Sequence, residues 1–191
     1  MNLDRPFLTG KKIYLRPLDV EDIDQYLRWV NDERVIGHLG TLHFPTTREA
    51  LREYLEKNTT DKNTAFFAIV EKRTNKHIGN IKLGPIDWIN RRAEYGRLIG
   101  DVAAQGKGYG TESVRLILKY AFDNLNLHKV TSSASEDNMA SLKSNQKAGL
   151  IVEATLKEQK YENGVYKDII LLGITKKEYI RAHRARRRKT K

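Results

Sequence analysis

A glycine-rich segment, residues 101–113, has residue types and a spacing that suit phosphate binding. It reads DVAAQGKGYGTES and places Gly106, Gly108 and Gly110 directly ahead of a run of helix-forming residues. Glycine lets the backbone approach a bulky group without a Cβ in the way, and the first N–H groups of a helix have no partner within the helix. The helix dipole adds partial positive charge at the same end. A phosphate cradle and a flexible loop are both consistent with these glycines taken alone.

The spacing of the glycines excludes two common phosphate-binding motifs. The Walker pattern Gly-x-x-x-x-Gly-Lys-[Ser/Thr] does not occur in the sequence, and the dinucleotide pattern Gly-x-Gly-x-x-Gly fails because Thr111 follows Gly110. The pattern that fits is Gln-x-x-Gly-x-Gly, which begins at Gln105. Within it, Lys107 can add a charge-assisted contact at the rim of the turn.

The composition suits a soluble globular protein and excludes several classes of chemistry. Of the 191 residues, 39% are apolar and 31% charged, and there is no cysteine. Disulfides, a thiolate nucleophile and cysteine-ligated metals are therefore excluded. No apolar run approaches the ~20 residues of a membrane span, and the first residues lack a secretory pattern, so we expect a cytoplasmic protein without membrane contact. We expect no metal site, because ligand spacing is lacking at His38, His43, His77 and His128.

The positive charge is concentrated at the C-terminus. The net charge is +11, and the last eleven residues hold seven Lys and Arg and no acid, which leaves +4 for residues 1–180. We therefore predict a single domain over residues 1–180 and a basic tail over residues 181–191. The tail suits weak contact with RNA or the ribosome, and it equally suits a solvated end that aids solubility.

The hydrophobic pattern predicts the elements that position the glycine turn. Strands are predicted at residues 11–18, 64–72, 76–85, 91–101 and 128–135, with two more in 150–175 joined at Asn163-Gly164. Helices are predicted at residues 19–32, 46–58, 110–124 and 137–149, followed by a C-terminal helix that carries the tail. This order predicts an α+β fold whose sheet is mostly antiparallel, with a parallel step across the glycine turn and its helix.

Three segments resemble the GNAT superfamily of N-acetyltransferases. Residues 105–110 are similar to its central motif, and residues 92–101 are similar to the Ala-Glu-[Ile/Phe]-Gly strand of the branch that includes the ribosomal-protein N-terminal acetyltransferases. A third segment resembles Asn-x-x-[Ala/Ser]-x-x-x-x-x-Lys-x-Gly-[Phe/Leu], carried by Asn138, Ser141, Lys147, Gly149 and Leu150. The element order also agrees from about residue 11 to residue 175.

The resemblance implies a fold and an acetyl donor. The fold is a twisted sheet of six to seven strands with about four helices and splayed central strands, and the donor is acetyl-CoA, with no metal. The backbone of Leu98, Ile99 and Gly100 is expected to pair with the pantetheine amides. The pyrophosphate is expected at Gln105, Gly106, Lys107, Gly108, Tyr109, Gly110 and Thr111, with further CoA contacts from Asn138 and Asn145.

The resemblance also implies catalytic residues. Glu94 is expected near the acceptor amine as a partly buried general base, with the alternative that it is an exposed strand residue paired with Arg91 or Arg92. Many relatives carry a tyrosine acid where this chain has Asn145, which cannot donate a proton as an acid. The branch similar to the ribosomal-protein acetyltransferases resembles this sequence in having a serine at residue 141, so Ser141 is the expected acid, although it is equally suited to helix packing. Asn138 suits both a helix cap and a CoA contact.

The acceptor and the partners are less determined by the sequence. The residues expected around the acceptor pocket are mostly acidic or aromatic, namely Trp29, Asn31, Asp32, Glu33, Asp87 and Trp88. Such residues suit a cationic or sugar amine, and they equally suit ordinary loops. Direct transfer to a primary amine of an amino sugar, a polyamine or a protein N-terminus is the leading hypothesis. The alternatives are an RNA- or ribosome-binding protein that acts through its tail and a GNAT-like domain that binds CoA without catalysis. Such domains often form dimers, so a homodimer is a further hypothesis.

Overall fold

The computed structural model describes residues 5–37, 44–162 and 164–189, with side chains up to residue 182. The strands are β1 Leu8–Thr9, β2 Ile13–Pro17, β3 Ala65–Glu71, β4 Lys76–Asp87, β5 Arg92–Ile99, β6 Lys129–Ser135, β7 Ile151–Glu162 and β8 Val165–Thr175. The helices are α1 Ile23–Val30, α2 Glu33–Ile36, α3 Arg48–Thr60, α4 Tyr109–Lys119, α5 Met139–Ala148 and α6 Lys176–Lys189. A 3-10 turn precedes α1, and Tyr120–Asn124 continues α4 as a π-helical turn.

The strands form one eight-stranded sheet in the order β1-β2-β3-β4-β5-β6-β8-β7. Among the described strands, only β5 and β6 pair in parallel, across the connection that contains the glycine turn and α4. The predicted α+β class and the mostly antiparallel sheet are confirmed. The predicted counts are too low, because β1 and α2 are too short to give a periodic signal. The strand expected to end near residue 85 runs on to Asp87, with an irregular register between Leu83 and Ile86.

The core has two parts, one on each face of the sheet. Strand β3 explains this arrangement, because its apolar side chains alternate between the faces with the strand period of two. Phe67 and Ile69 join the cluster that includes Val114 and Ile117 of α4. Phe66 and Ala68 join the second cluster, which lies under α1 and α3. The apolar run predicted to be a buried strand is therefore buried on both sides.

Strands β5 and β6 separate after a short paired segment. They are paired only from Arg92–Glu94 to Lys129–Thr131. Beyond Glu94, β5 remains paired with β4 as far as Ile99, whereas β6 remains paired with β8 as far as Ser135. The predicted splaying of the central strands is confirmed, and it opens a wedge whose wide end faces the glycine turn.

The remaining predictions about organisation concern the termini and the partners. The predicted boundary at residue 180 falls inside α6, so the division into a domain and a tail stays a prediction, as do RNA contact and dimer formation. The hairpin between β7 and β8 forms as expected around Gly164, while Asn163, His38 and His43 lie outside the described residues. Within the described ranges, none of the helices is long and apolar enough to span a bilayer.

Candidate active site

A cavity of about 650 Å³ fills the wedge between β5 and β6. Its walls are the open edge of β5, the glycine turn with the first turn of α4, the end of β6, and α5. Most of the predicted site residues line it, namely Glu94, Leu98, Ile99, Gln105, Gly106, Gly108, Tyr109, Gly110, Thr111, Asn138, Ser141 and Asn145. Gly100 and Lys107 do not line it.

The glycine turn has the backbone geometry of an anion cradle. Gly106 and Gly108 adopt φ values of +74° and +87°, and a Cβ built on either residue would project into open space. Gly108 is the N-cap of α4, and no side chain of the described residues caps this helix. The N–H groups of the first turn, from Tyr109 to Thr111, therefore lack the side-chain acceptor that usually covers them. They are left for an external acceptor.

The two predicted residues outside the lining have other local roles. Gly100 packs so closely against Trp29 that a Cβ at residue 100 would lie 2.0 Å from the indole ring. Lys107 is exposed, and its carbonyl oxygen accepts a hydrogen bond from Lys12 Nζ at 3.2 Å. Within the lining, the Tyr109 hydroxyl donates to the Glu71 carboxylate, which anchors the start of α4 to β3.

The open edge of β5 runs from Tyr95 to Ile99 and has no strand partner on the side of β6. Part of this edge is already satisfied, because Gln105 Nε2 donates to the carbonyl oxygen of Ile99 at 3.2 Å. The other backbone groups on that side are available to an extended ligand lying along the strand.

Glu94 lies at the narrow end of the wedge, as the last residue of β5 that pairs with β6. It is exposed rather than partly buried as expected, and its carboxylate accepts a hydrogen bond from Ser133 Oγ at 3.1 Å. Arg92 pairs instead with Asp87, with 3.2 Å between Nε and the carboxylate, so it is not the partner of Glu94. The carboxylate is thus positioned at the vertex and open to solvent.

Helix α5 and its N-cap contribute polar side chains to the opposite wall, among them the predicted residues Asn138, Ser141 and Asn145. Asn138 caps the helix by accepting from the Ser141 N–H at 3.0 Å, and Ser141 is half-buried one turn before Asn145. Asn145 is buried, and its Oδ1 accepts from the Tyr95 hydroxyl at 2.7 Å. Burial raises the pKa of Tyr95 to about 12, so this phenol remains a protonated donor at neutral pH.

Two buried polar atoms in the lining have no hydrogen-bond partner among the described residues. They are Asn145 Nδ2 and Ser135 Oγ. Because the Tyr95 hydroxyl holds Oδ1, the amide of Asn145 presents its donor end to the rest of the site. Unpaired buried polar groups are rare in folded proteins, so these atoms fit a ligand with complementary polar groups.

Sequence reasoning missed several charged or aromatic residues in this site, and two of them, Tyr95 and Arg97, lie on β5. Both line the cavity, and the Arg97 guanidinium donates to the Gly110 carbonyl at 2.9 Å and to Ser144 Oγ at 2.8 Å. The alternation of β5 was the available signal, since it places them on the same face as the buried Ala93.

The residues expected to form the acceptor pocket lie elsewhere. Asn31 is tied to the Thr46 backbone, and Trp88 donates to Asn63 Oδ1 at 2.9 Å. None of the six residues expected there lines the cavity. The segment after α1 contributes Arg34 and Val35 instead, and Lys160 and Ile169 come from the hairpin of β7 and β8.

Comparison with known proteins assigns the family. The model of the GNAT acetyltransferase domain matches residues 12–151, which is well over half of the chain. The chain belongs to the GNAT acetyltransferase family. This assignment confirms the predicted superfamily, the enzyme class of N-acetyltransferase and acetyl-CoA as the co-substrate. Among the described residues, no group of three or more His, Cys, Asp or Glu could hold a metal ion.

Two curated relatives represent different members of the GNAT family. A spermidine N(1)-acetyltransferase of Escherichia coli K12 is 27% identical over 176 residues, covering 92% of each chain. A putative ribosomal N-acetyltransferase of Bacillus subtilis is 32% identical over 101 residues, 53% of this chain and 55% of the relative. The second relative supports the resemblance to the ribosomal branch.

A solved structure supports the fold. The spermidine N-acetyltransferase of Vibrio cholerae, in complex with CoA and spermine, superposes with a TM-score of 0.82 at 24% identity. The superposition covers 90% of this chain and 99% of the other. The eight-stranded sheet described above is thus a GNAT fold.

Proposed function

We propose that this enzyme transfers the acetyl group of acetyl-CoA directly to a primary amine while both substrates are bound. One observation carries the proposal: a single wedge has an uncapped glycine turn at its wide end and a carboxylate at its vertex. From Glu94 to Ile99 the open edge of β5 spans five residue steps, roughly 17 Å at about 3.3 Å per residue. That length suits a pantetheine arm lying between a pyrophosphate at Gly106–Thr111 and a thioester near Glu94.

The chemistry of the step assigns roles to the residues at the vertex. The amine nitrogen must be neutral to attack the thioester carbonyl carbon, since an ammonium has no lone pair. The new C–N bond forms as the C–S bond breaks, and Glu94 takes the proton that the amine loses. The departing thiolate takes up one proton, so the transfer from the neutral amine neither gains nor loses protons, and an acceptor that arrives as an ammonium releases one proton to solvent beforehand.

The opposite wall supplies donors for the charge that develops on the donor. The Asn145 amide cannot transfer a proton, but its unpaired Nδ2 can hydrogen-bond a carbonyl oxygen or a thiolate. Ser141 lies one helical turn before Asn145 on the same helix, and its hydroxyl carries an exchangeable proton. We assign the role of acid to Ser141 and a stabilising contact to Asn145. Holding both substrates in one wedge lowers the entropic part of the barrier.

The acceptor class is the finer part of the proposal. The relationship to spermidine acetyltransferases makes a polyamine the first compound to test. The lining itself offers a polyamine one carboxylate, because Glu94 is the only acidic residue that lines the cavity among the described residues. Arg34 and Lys160 also line it, and each is paired with a carboxylate, Asp32 and Glu162 respectively. Glucosamine and a peptide with an N-terminal serine complete the comparison, since each presents a single amine.

The test is a panel of these amines scored by release of free CoA. We expect release with at least one amine, and Glu94→Gln should lower kcat by about 10²- to 10⁴-fold, the usual effect of losing a general base. The acetyl-CoA thermal shift of this variant should equal that of the parent. Glu49→Gln, an exposed change on α3, is the matched control and should leave both readouts unchanged.

Two outcomes would contradict the proposal. An unchanged kcat in Glu94→Gln would remove Glu94 as the base. Binding of acetyl-CoA without CoA release from any amine would favour a domain that binds CoA without catalysis.

A further inference from the structure

Arg97 places a cation beside the glycine turn without a counter-charge. Its guanidinium is half-buried between β5, the start of α4 and α5, where its two protein acceptors are a backbone carbonyl and a serine hydroxyl. No carboxylate of the described residues forms an ion pair with it, and burial lowers its pKa. Glu94 does not compensate it, because residues 94 and 97 of a strand point to opposite faces of the sheet.

A second buried arginine of the same chain shows the usual solution. Arg16 is more deeply buried than Arg97 and donates two hydrogen bonds of 2.7 Å to the carboxylate of Asp22. Buried cations are normally paired in this way, because removal from water is costly without an opposite charge. Arg97 departs from this pattern beside the first turn of α4, whose N–H groups have no side-chain cap.

The surroundings of Arg97 leave donors free for a ligand. A guanidinium has five N–H donors, and the two contacts with the protein occupy two of them. Arg97 lines the cavity beside Gly110, and a Cβ at residue 110 would approach Arg97 Cζ at 3.2 Å. The glycine therefore lets the guanidinium lie directly against the first turn of α4, whose dipole attracts the same sign of ligand charge.

We propose that Arg97 is a binding residue for the pyrophosphate of acetyl-CoA, and that the ligand is the missing counter-ion of this cation. The inference rests on the proposed placement of acetyl-CoA in the wedge. Backbone N–H groups of the turn would hold one side of the pyrophosphate, and Arg97 would supply the fixed positive charge on the other. Charge-assisted hydrogen bonds of this kind are about twice as strong as neutral ones.

This assignment predicts opposite effects on the free and the bound protein. Replacing Arg97 by methionine removes an uncompensated charge, and each of its two former acceptors keeps another hydrogen bond. Ser113 Oγ also donates to the Gly110 carbonyl at 2.8 Å, and Ser144 Oγ keeps its own acceptor, the Ser141 carbonyl, at 2.9 Å. The free variant should therefore melt roughly 2–8 °C higher than the parent, whereas its affinity for acetyl-CoA should fall.

The experiment compares Arg97→Met with the parent by calorimetric titration and thermal melting. Acetyl-CoA affinity should fall about 10- to 100-fold, the usual range for a lost bond to a charged group. Affinity for S-acetylpantetheine, which lacks the pyrophosphate, should not change. Arg92→Met is the matched control on the same strand, because its side chain faces solvent outside the cavity. It should leave both affinities unchanged.

The outcomes separate this inference from the proposed function. Equal acetyl-CoA affinity in the parent and in Arg97→Met, or an equal loss for acetyl-CoA and S-acetylpantetheine, would overturn the role of Arg97 alone. A parent that binds neither compound would overturn the proposed function as well. If Arg97→Met does not fold, Arg97→Lys decides the question, because it keeps the charge without the planar fork and should show an intermediate loss for acetyl-CoA only.

Discussion

Replacing Gly108 by alanine should separate the backbone cost of the glycine turn from its role in binding. Gly108 has φ +87°, a conformation that costs an L-residue roughly 1–2 kcal/mol. A Cβ at residue 108 meets no atom within 4 Å, so no clash adds to this cost in the free protein. For a chain of this size, about 2–4 °C is lost per kcal/mol, and the melting temperature should fall by ~2–8 °C.

Gly164 provides a matched control for this variant. It has φ +84° and open space around its Cβ position, and it lies in the hairpin of β7 and β8, outside the cavity lining. Gly164→Ala should therefore lower the melting temperature by the same amount as Gly108→Ala. Any difference between the two variants in the presence of ligand then reports on binding rather than on backbone conformation.

The assay is thermal melting with and without acetyl-CoA. Ligand at 100 times its dissociation constant stabilises a protein by about 2.7 kcal/mol, or ~5–11 °C here. The parent and Gly164→Ala should show this shift, and Gly108→Ala should lose most of it because its methyl group projects into the space assigned to the pyrophosphate. A full shift in Gly108→Ala would refute the placement of the ligand at the turn.

Two further predictions concern buried polar groups. Asp22→Asn removes the partner of the buried Arg16, so it should cost about 3–5 kcal/mol and lower the melting temperature by ~6–20 °C. Although burial alone would raise the pKa of Asp22, Arg16 and His77 hold it well below its ordinary value near 4. The contribution of Asp22 to stability should thus be complete above about pH 4 and decline as the pH falls further, and urea unfolding at pH 7 and pH 3 should show a smaller pH effect in Asp22→Asn than in the parent. Tyr95→Phe removes the donor to Asn145 Oδ1, and we expect it to lower kcat. The upper limb of the pH profile should not move up to about pH 10, because the pKa of Tyr95 is about 12; a shifted limb would identify Tyr95 as a titrating acid.

Features encoded by neighbouring residues could be predicted from the sequence. The cap at Asn138 and the glycine turn at the start of α4 each depend on a few consecutive residues, so local stereochemistry determines them. Most of the residues expected to contact acetyl-CoA consequently line one cavity. The short elements β1 and α2 escaped prediction because two and four residues carry no periodic signal.

Features that depend on distant parts of the chain could not be predicted. The hydrogen bond from Tyr95 to Asn145 joins residues that are 50 positions apart, and neither residue predicts the position of the other. Trp29 beside acidic residues indicated an acceptor pocket, yet it packs on Gly100 and His77 in the interior. Only the packing of α1 against the end of β5 decides that outcome.

The separation of β5 from β6 explains why binding capacity is concentrated in one wedge. Each strand keeps an antiparallel neighbour on its outer side, so the sheet remains continuous while the inner edge of β5 lacks a partner beyond Glu94. Backbone groups left in this way require water or a ligand, and Gln105 already covers the Ile99 carbonyl. A ligand with amides along its length can complete the edge as an added strand would. The same separation brings the vertex carboxylate, the polar face of α5 and the glycine turn to three sides of one space. The geometry that we propose for donor binding therefore also fixes where the acceptor must enter.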